Sequence, residues 1–427
     1  MKSKKILVVS YLLPPMGGGG VQRITKFIKY IIQETNYKIY VIGAEDKSYY
    51  ARDTILEKEL SGTQIYRIKV NTIFEFFIRI LRYLFKKLSK LKIPIINITE
   101  YGLFVFQYRI TFIIKSLYIS SKYIKKFNIE TVISTSGPRE NHIVGLLIKK
   151  FFNIKWITDY RDLWIWWQEY ERIKNQKLRM KLEKNLASEI VNKSDFITYV
   201  SPIWMKQLFN FSQTVNRNSI ILENGFDIDL SLESKIINFE KKSKIRIAYV
   251  GQFFAYRSPE YFFKALEILK EKNPQYYKKI IFDLYGPLHN FTKNIINYAE
   301  CKDIINYKGY ISNLQIQKEY KNIDLLLFII GKYPYSEGTY TGKIYEYLAS
   351  NVPILATIPL KGVAYNLIKK TKTGIIAEYD NPEDIYKKLI LFFSDWKYEP
   401  YYEYIQTKSR FNQTKKLISI LDTLKIH

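Results

Sequence analysis

The stretch GTYTGKIYEYLASNVPILA, residues 338–356, passes from a loop through a helix into a strand. Small and polar residues lead into a helical pattern over about residues 343–350. Asn351 and Pro353 end that helix, and the apolar run after them begins a buried strand. A helix followed directly by an apolar strand is typical of α/β folds with a parallel sheet.

The start of this helix is a candidate anion site. Thr341 and Gly342 precede the helical pattern. The unpaired N–H groups of a helix start, together with the positive end of its dipole, favour an anion. Glu346 lies about one turn further on, where a carboxylate can accept paired hydrogen bonds from a sugar diol. The alternative is an acid that only stabilises the helix dipole.

Short apolar runs recur along the whole chain between segments of helix length. They are residues 6–11, 39–42, 131–134, 156–158, 196–200, 245–250, 279–285, 325–329 and 352–356. Strands of this kind, apolar at nearly every position, indicate parallel sheets covered on both faces. Because 427 residues exceed the size of one hydrophobic core, the sequence predicts an α/β fold with two such sheets. The polar segment 227–244 is the candidate linker.

The composition limits the other classes of protein. No apolar run reaches the ~18 uncharged residues of a membrane span, and the basic N-terminus lacks a signal-peptide cleavage site. Cys301 is the only cysteine, which is typical of a reducing cytoplasm. The formal charge of +27 suggests nucleic acid, a membrane surface or a phosphorylated substrate as partner. A Lys-, Ile-, Asn- and Tyr-rich composition can also produce it without any such partner.

A glycine-rich loop, PPMGGGGVQR, follows the first predicted strand at residues 14–23. Gly18 and Gly19 allow the backbone to approach a ligand closely, and the free N–H groups at the next helix suit a substrate or phosphate. The loop lacks the Lys-Ser/Thr ending of a Walker loop, and no suitably placed acid follows it. A flexible turn is therefore an equal alternative.

Four segments together resemble glycosyltransferase family 4 on a GT-B scaffold. They are the opening stretch, IRIAYVGQFFAYRSPEYFFKALEIL (245–269), ILENGFD (221–227) and DYRDLW (159–164). The similarity extends from the glycine-rich loop to about residue 395. It implies two Rossmann-like parallel-sheet domains that face each other across a cleft.

The resemblance also implies that the two domains bind different substrates. Residues 1–223, completed by helices in about residues 400–427, would bind the acceptor, and residues 224–399 would bind a nucleotide-sugar donor. Such enzymes transfer the sugar with retention of anomeric configuration. They need no metal and no cofactor besides the donor.

Carried over position by position, the resemblance assigns roles to five residues. Glu346 would hold the nucleotide ribose, and Thr341, Gly342 and Lys343 would surround the diphosphate. Arg257 falls where the family places a cation, and its guanidinium would neutralise the leaving diphosphate. An ordinary surface arginine is the alternative at that position.

Two positions depart from the family pattern. Gln252 stands where many relatives have a second basic residue, so the phosphate clamp is expected to be weaker or differently built. Gly338 occupies the place of an earlier acid near the donor sugar. The adjacent Glu337 is the candidate substitute, which leaves the identity of the donor sugar open.

In the first half, STSGPRENHIVGLLIKK places His142 at a helix start after an apolar run. In relatives, a histidine in this neighbourhood lines the cleft near the reacting sugar, so His142 is a candidate catalytic residue. An ordinary surface histidine is the alternative. Asp159, Arg161 and Asp162 follow the next run, in an order that is not the Asp-x-Asp of metal-dependent transferases. Arg161 is expected either to bind substrate or to form an internal salt bridge.

Residues 73–92 have the clearest amphipathic pattern, with a broad apolar face and a basic back. Such a helix either lies in an anionic membrane interface or packs on its own domain with a solvated basic face. Contact with lipid would favour a lipid-linked acceptor at the inner face of the cell membrane, as for many relatives that build surface polysaccharides.

The sequence therefore predicts a cytoplasmic, retaining glycosyltransferase. It would move a sugar from a nucleotide-sugar donor to a glycan or lipid-linked saccharide acceptor. A nucleotide-sugar 2-epimerase on the same scaffold is an alternative, although no convincing pair of acids is placed for proton abstraction. A basic nucleic-acid-binding protein is less consistent with the sequence, because no nucleic-acid motif is present, and no nucleic-acid partner is expected.

Overall fold

The computed structural model describes residues 3–46, 49, 52–70, 80, 83–84, 109–215, 218–227, 239, 242–394 and 396–424. It divides into two compact units, residues 1–223 with 413–427 and residues 224–412. Most of the 73–92 segment and most of the 227–244 segment lie outside the described residues. Both alternatives for the amphipathic helix, contact with a membrane and packing on its own domain, therefore stay open. Within the described ranges, no helix has the length and apolar character needed to span a membrane.

The N-terminal unit is built on a parallel sheet in the order β3-β2-β1-β4-β5-β6-β7. Its strands are β1 (Lys5–Val9), β2 (Lys38–Glu45), β3 (Gln64–Lys69), β4 (Thr131–Thr135), β5 (Lys155–Tyr160), β6 (Phe196–Tyr199) and β7 (Ser219–Ile221). Its helices are α1 (Gly19–Glu34), α2 (Ile55–Lys58), α3 (Ile110–Phe127), α4 (Glu140–Phe151), α5 (Trp167–Ile173), α6 (Lys177–Lys193) and α7 (Pro202–Ser212). The central strand β4 is buried at every position, because helices cover both faces of the sheet.

The C-terminal unit is built on a second parallel sheet, in the order β10-β9-β8-β11-β12-β13. Its strands are β8 (Ile245–Val250), β9 (Ile280–Tyr285), β10 (Ile305–Gly309), β11 (Leu325–Ile329), β12 (Ile354–Ile358) and β13 (Gly374–Glu378). Its helices are α8 (Glu260–Lys272), α9 (Pro274–Tyr277), α10 (Asn290–Tyr298), α11 (Asn313–Glu319), α12 (Gly342–Ala349), α13 (Val363–Thr371), α14 (Pro382–Ser394) and α15 (Tyr402–Gln406). The last helix, α16 (Arg410–Thr423), contains the second division between the units.

That division differs from the sequence prediction, which put it near residue 400. The structure places it at residue 413, since α15 belongs to the C-terminal unit. Ile405 of α15 is fully buried in the same core as Phe226. Further along, Leu417 and Leu421 pack in the core of the N-terminal unit. Residues 413–427 are thus grouped with the first unit, and their role in an acceptor-binding domain stays a prediction.

In each sheet the strand order reverses between two central strands, β1 and β4 in the first unit and β8 and β11 in the second. Ligands of open parallel sheets bind in the crevice outside the carboxyl ends of such strands. The loops after β8 and β11, together with the first half of α12, contain most of the residues that the sequence singled out.

Candidate active site

The start of helix α12 lies in the loop region after β11. Gly342 is its first residue, and Thr341 is its N-cap with an extended backbone. The Thr341 side chain does not cap the helix, and its Oγ1 is buried without a hydrogen-bond partner among the described residues. The first turn contains no acid. The helix start is therefore open to an anionic ligand.

Lys343 and Glu346 lie on the same side of this helix. Lys343 Nζ is 3.5 Å from Glu346 Oε2, and the Glu346 side chain is only 13% exposed. Burial raises the pKa of the nearby Tyr320 hydroxyl well above its usual value, and the charge of Glu346 adds to the shift. A carboxylate and a cation thus stand together about one turn from the helix start.

Gly251 directly follows the adjacent strand β8, and its backbone approaches the same place. Gly251 has a φ of +140°, and a Cβ there would lie 3.7 Å from Lys343 Cε and 3.8 Å from Tyr249 Oη. Gly286, after β9, packs closely against Gly251. If Gly286 carried a side chain, its Cβ would lie only 2.1 Å from the Gly251 carbonyl oxygen. The two glycines therefore allow three chain segments to meet at the carboxyl end of the sheet.

Arg257 lies in the turn between β8 and α8, and that turn is held from two directions. A Cβ on Gly331, after β11, would lie 2.0 Å from the Tyr256 carbonyl oxygen, so the two backbones are in close contact. On the other side, the Ser258 N–H donates to Tyr379 Oη at 3.2 Å. These contacts fix the backbone on both sides of Arg257, from which its guanidinium extends.

The positive charge of the Arg257 guanidinium opposes the rise in pKa that burial causes at three tyrosine hydroxyls. Burial raises the pKa of Tyr249, and the charge and hydrogen bond of Arg257 oppose the shift. Burial likewise raises the pKa values of Tyr333 and Tyr347, and the Arg257 charge is among the effects that oppose it. Because Tyr249 also lies beside Gly251 and Lys343, the structure brings Arg257 to the same cluster as the start of α12.

Sequence reasoning missed His289, which lies at the N-cap of α10 after β9. Its Nε2 is hydrogen-bonded to the Gln252 side chain. Gln252 is the position where the resemblance expects a second basic residue. The sequence did contain a clue, because only three histidines occur in the chain and this one follows a strand within a few residues.

Glu337 lies in a short 3-10 turn between β11 and α12. Its Oε1 is 3.6 Å from Nζ of the exposed Lys361. Its backbone is in close contact with Gly362, where a Cβ would lie 2.3 Å from the Glu337 carbonyl oxygen. The described contacts do not join Glu337 to Lys343 or Arg257, and its role near a donor sugar stays a prediction.

His142 lies in the first turn of α4 and is completely buried. Its Nδ1 is 2.8 Å from Ser134 Oγ, and its ring packs against Tyr160 at 4.4 Å between centroids. Burial lowers the pKa of His142 to about 3, while Asp159 opposes the shift and Arg161 adds to it. The imidazole is therefore a neutral core group rather than a surface histidine. His142 Nε2 is buried without a hydrogen-bond partner among the described residues, and the catalytic role of His142 stays a prediction.

The glycine-rich loop lies in the N-terminal unit, at the end of β1. Gly18 has a φ of +99° and is the N-cap of α1, and Gly19 has open space where a side chain would stand. Gly20 contacts the Arg161 guanidinium, because a Cβ there would lie 2.0 Å from Nη1. The loop is thus packed against the end of β5 on one side and open at Gly19.

Of the two alternatives for Arg161, the internal salt bridge is not found among the residues that the structure describes. Arg161 donates instead to the main-chain carbonyls of Ser136 at 2.7 Å and Gly137 at 3.1 Å. The salt bridge belongs to Asp159, whose carboxylate lies 2.7 Å from Arg23 in the buried core. Burial raises the pKa of Asp159, but the Arg23 pair and two threonine hydroxyls outweigh it and lower the pKa overall.

The structure thus sorts the predicted residues into three groups. Five of them meet in the C-terminal unit, namely Arg257, Thr341, Gly342, Lys343 and Glu346. Gly18, Gly19 and His142 belong to the N-terminal unit, and Glu337 pairs with Lys361 from the loop after β12. Across the residues that the structure describes, no group of three His, Cys, Asp or Glu side chains is placed to hold a metal ion.

Comparisons with known proteins agree with this geometry. Residues 232–410, which include the whole cluster in the C-terminal unit, match the family model of glycosyl transferases group 1. An uncharacterized glycosyltransferase of Haemophilus influenzae is 22% identical over 276 residues, which cover 64% of this chain and 69% of that protein.

Two solved structures are similar over almost the whole chain. A glycosyltransferase from Rickettsia africae is 17% identical, with 98% of each chain covered and a TM-score of 0.64. The apo form of a lipopolysaccharide outer core galactosyltransferase is 13% identical, covers 98% of this chain and 100% of that one, and has a TM-score of 0.61. The predicted fold of two Rossmann-like domains of the GT-B kind is confirmed, and the family match supports a glycosyltransferase.

Proposed function

We propose that this protein is a retaining, nucleotide-sugar-dependent glycosyltransferase of the family 4 kind. One observation carries the proposal: Arg257, Lys343 and the open start of α12 meet at the carboxyl ends of β8 and β11. Glu346 stands about one turn away with its side chain only 13% exposed. The match of residues 232–410 to glycosyl transferases group 1 supports the same assignment.

The cluster has the chemistry that a nucleoside diphosphate requires. Two side-chain cations and the free N–H groups of a helix start can share the negative charge of a diphosphate. Glu346 lies about one turn beyond the helix start, and its carboxylate can accept hydrogen bonds from both hydroxyl groups of a ribose. Thr341 Oγ1, which is buried without a partner in the described part of the chain, would donate to a phosphate oxygen.

In the proposed reaction, the bond between the anomeric carbon and the diphosphate breaks, and negative charge develops on the departing phosphate oxygen. Arg257 and Lys343 stabilise that charge, because they are already in place when it forms. The acceptor hydroxyl attacks from the face that the diphosphate leaves, and its proton passes to the departing phosphate. The configuration at the anomeric carbon is therefore retained.

The acceptor in this proposal is a glycan or a lipid-linked saccharide, and the product is a surface polysaccharide or its precursor. The reaction would take place in the cytoplasm, with segment 73–92 as a possible contact with an anionic membrane. The similarity to a lipopolysaccharide galactosyltransferase shows the fold only. It is the reason for including lipid-linked saccharides among the acceptors to be tested.

A binding experiment tests the donor site directly. Thermal unfolding is measured with UDP, GDP and ADP for the native protein, Glu346→Ala and Arg257→Ala. A nucleotide at 100 times its dissociation constant stabilises the folded state by about 2.7 kcal/mol. Both variants are expected to lose most of this gain. Glu260→Ala is the matched control, since Glu260 is half exposed and pairs with Lys264 on the surface of α8.

A turnover experiment then separates the activities. Radiolabelled nucleotide sugars are incubated with saccharide and lipid-linked acceptors, and labelled product is expected only with an acceptor present. Undiminished transfer by both Glu346→Ala and Arg257→Ala would refute the proposed site. Release of epimerised nucleotide sugar without an acceptor would support the 2-epimerase instead, and steeply salt-dependent binding of random DNA would support a nucleic-acid function.

A further inference from the structure

A cavity of about 230 Å³ lies in the N-terminal unit, where β4 and β5 end. Its walls include Arg109, Arg139, Glu140, Asp162, Trp166 and Glu169. These residues come from three loops and helix starts of the same unit. The cavity is smaller than the ~300–1,000 Å³ typical of sites for drug-sized ligands, so it suits one sugar ring rather than an oligosaccharide.

The two arginines of this cavity are already neutralised. Arg109 Nη1 is 3.0 Å from Glu140 Oε1, and Glu140 also accepts the Arg109 main-chain N–H at 2.9 Å. Arg139 Nη2 is 3.1 Å from Glu169 Oε1. With Asp162, the lining therefore holds three carboxylates and two guanidiniums, a net charge of −1. Because both lining guanidiniums are paired and the net charge of the lining is negative, this cavity disfavours an anion.

The walls are fixed by a buried network behind them. Arg139 Nη1 donates to Glu183 at 3.2 Å, and Trp164 Nε1 donates to the same carboxylate at 3.1 Å. The Glu183 side chain is fully buried. A cavity whose walls are held in this way loses little conformational freedom when a ligand enters.

Two side chains of the lining suit contact with a sugar ring. Trp166 is half-buried at the start of α5, with its ring edge-on to Trp204 at 6.1 Å between centroids. The exposed Asp162 receives no hydrogen bond on its carboxylate from any residue that the structure describes, although its main-chain carbonyl accepts one from Tyr199. A flat aromatic face beside an available carboxylate matches the apolar face and the hydroxyl edge of a pyranose.

We propose that this cavity binds one uncharged sugar ring, with Trp166 against the ring face and Asp162 accepting its hydroxyl groups. Its identity as the acceptor subsite rests on the proposed function, whereas sugar binding itself does not. The acceptor would then end in a neutral hexose rather than in a uronic acid or a sugar phosphate.

Saturation-transfer difference NMR tests this with the full chain, because the method detects millimolar binding. The probes are the methyl glycosides of glucose, galactose and mannose, with methyl glucuronide as the charged counterpart. At least one neutral glycoside is expected to give signals, and the glucuronide much weaker ones. Trp166→Ala should weaken binding about five- to tenfold, and Asp162→Asn should reduce the discrimination against the glucuronide.

Trp167→Ala is the matched control, since Trp167 is the neighbouring residue and does not line the cavity. It should bind the glycosides like the native protein. Stabilisation by nucleoside diphosphate is measured in parallel and should be unchanged in all three variants. If nucleoside diphosphates do not stabilise the protein but a neutral glycoside still binds, the result counts against the proposed donor site and not against the cavity. The cavity proposal is refuted if no neutral glycoside binds, if the glucuronide binds equally well, or if Trp166→Ala has no effect.

Discussion

Acid should destabilise the N-terminal unit through His142. The imidazole is completely buried, and burial lowers its pKa from 6.5 to about 3, with Asp159 opposing and Arg161 adding to the shift. A histidine in the unfolded chain takes up a proton in this range, but the folded protein holds the ring neutral. The contribution to stability is therefore complete above pH 6.5 and is lost progressively as the pH falls towards 3.

The magnitude follows from proton linkage. Well below the unfolded pKa, the unfolded chain binds about one proton more at this site than the folded chain. The free energy of unfolding then falls by about 1.4 kcal/mol per pH unit. Between about pH 6.5 and pH 5 the loss from this one group approaches 2 kcal/mol.

Tryptophan fluorescence during urea unfolding measures this loss in the relevant unit. Five of the six tryptophans lie in residues 156–204 of the N-terminal unit. His142→Asn can keep a hydrogen bond to Ser134 but cannot be protonated. The variant should be less stable near neutral pH, and the difference from the native protein should shrink by about 2 kcal/mol on acidification to about pH 5.

One result would refute this reasoning, and a second would test the predicted catalytic role of His142. Parallel stability curves for His142→Asn and the native protein would show that the imidazole is not a buried neutral group. A loss of transferase kcat of a hundredfold or more, at a pH where the variant is fully folded, would show direct participation of His142 in the reaction. The second result would support the catalytic role that the sequence suggested.

Further substitutions test the packing of both units by thermal unfolding. Gly286→Ala should destabilise the C-terminal unit by more than about 2 kcal/mol, because φ is +131° and the new Cβ would lie 2.1 Å from the Gly251 carbonyl oxygen. Gly309→Ala, with a φ of +76° but open space, should cost about 1 kcal/mol, and equal losses in both variants would contradict the close contact. Asp159→Asn should cost about 3–5 kcal/mol, since it leaves the buried Arg23 without its partner at 2.7 Å. An unchanged melting temperature would show that this pair is solvated.

The strands show where sequence reasoning succeeds and where it stops. Every apolar run that the sequence marked as a strand overlaps one in the structure, from β1 to β12. Four strands were missed, namely β3, β7, β10 and β13, and each lies at an edge of its sheet. An edge strand is partly exposed and so lacks a continuous apolar run, as the alternating pattern of β3 shows.

Part of the cluster around the start of α12 was predictable, namely the part whose residues are neighbours in the sequence. Thr341 to Glu346 share one loop and helix, so their spacing alone indicated a helix start with a carboxylate about one turn further on. The contact between Gly251 and Lys343 and the bond between Gln252 and His289 were not predictable. They join segments that are distant in sequence, and only the order of the strands decides that those segments meet.

By itself, the sequence determined the α/β class, the inner strands and the helix that presents Lys343 and Glu346, because periodicity and helix-start chemistry are local properties. Only the tertiary structure decided that His142 is buried, that Asp159 rather than Arg161 forms the salt bridge, and that Glu337 pairs with Lys361. Burial and charge pairing depend on which neighbours a residue receives from other strands and helices. The packing of the whole sheet supplies those neighbours, and no short stretch of the chain contains that information.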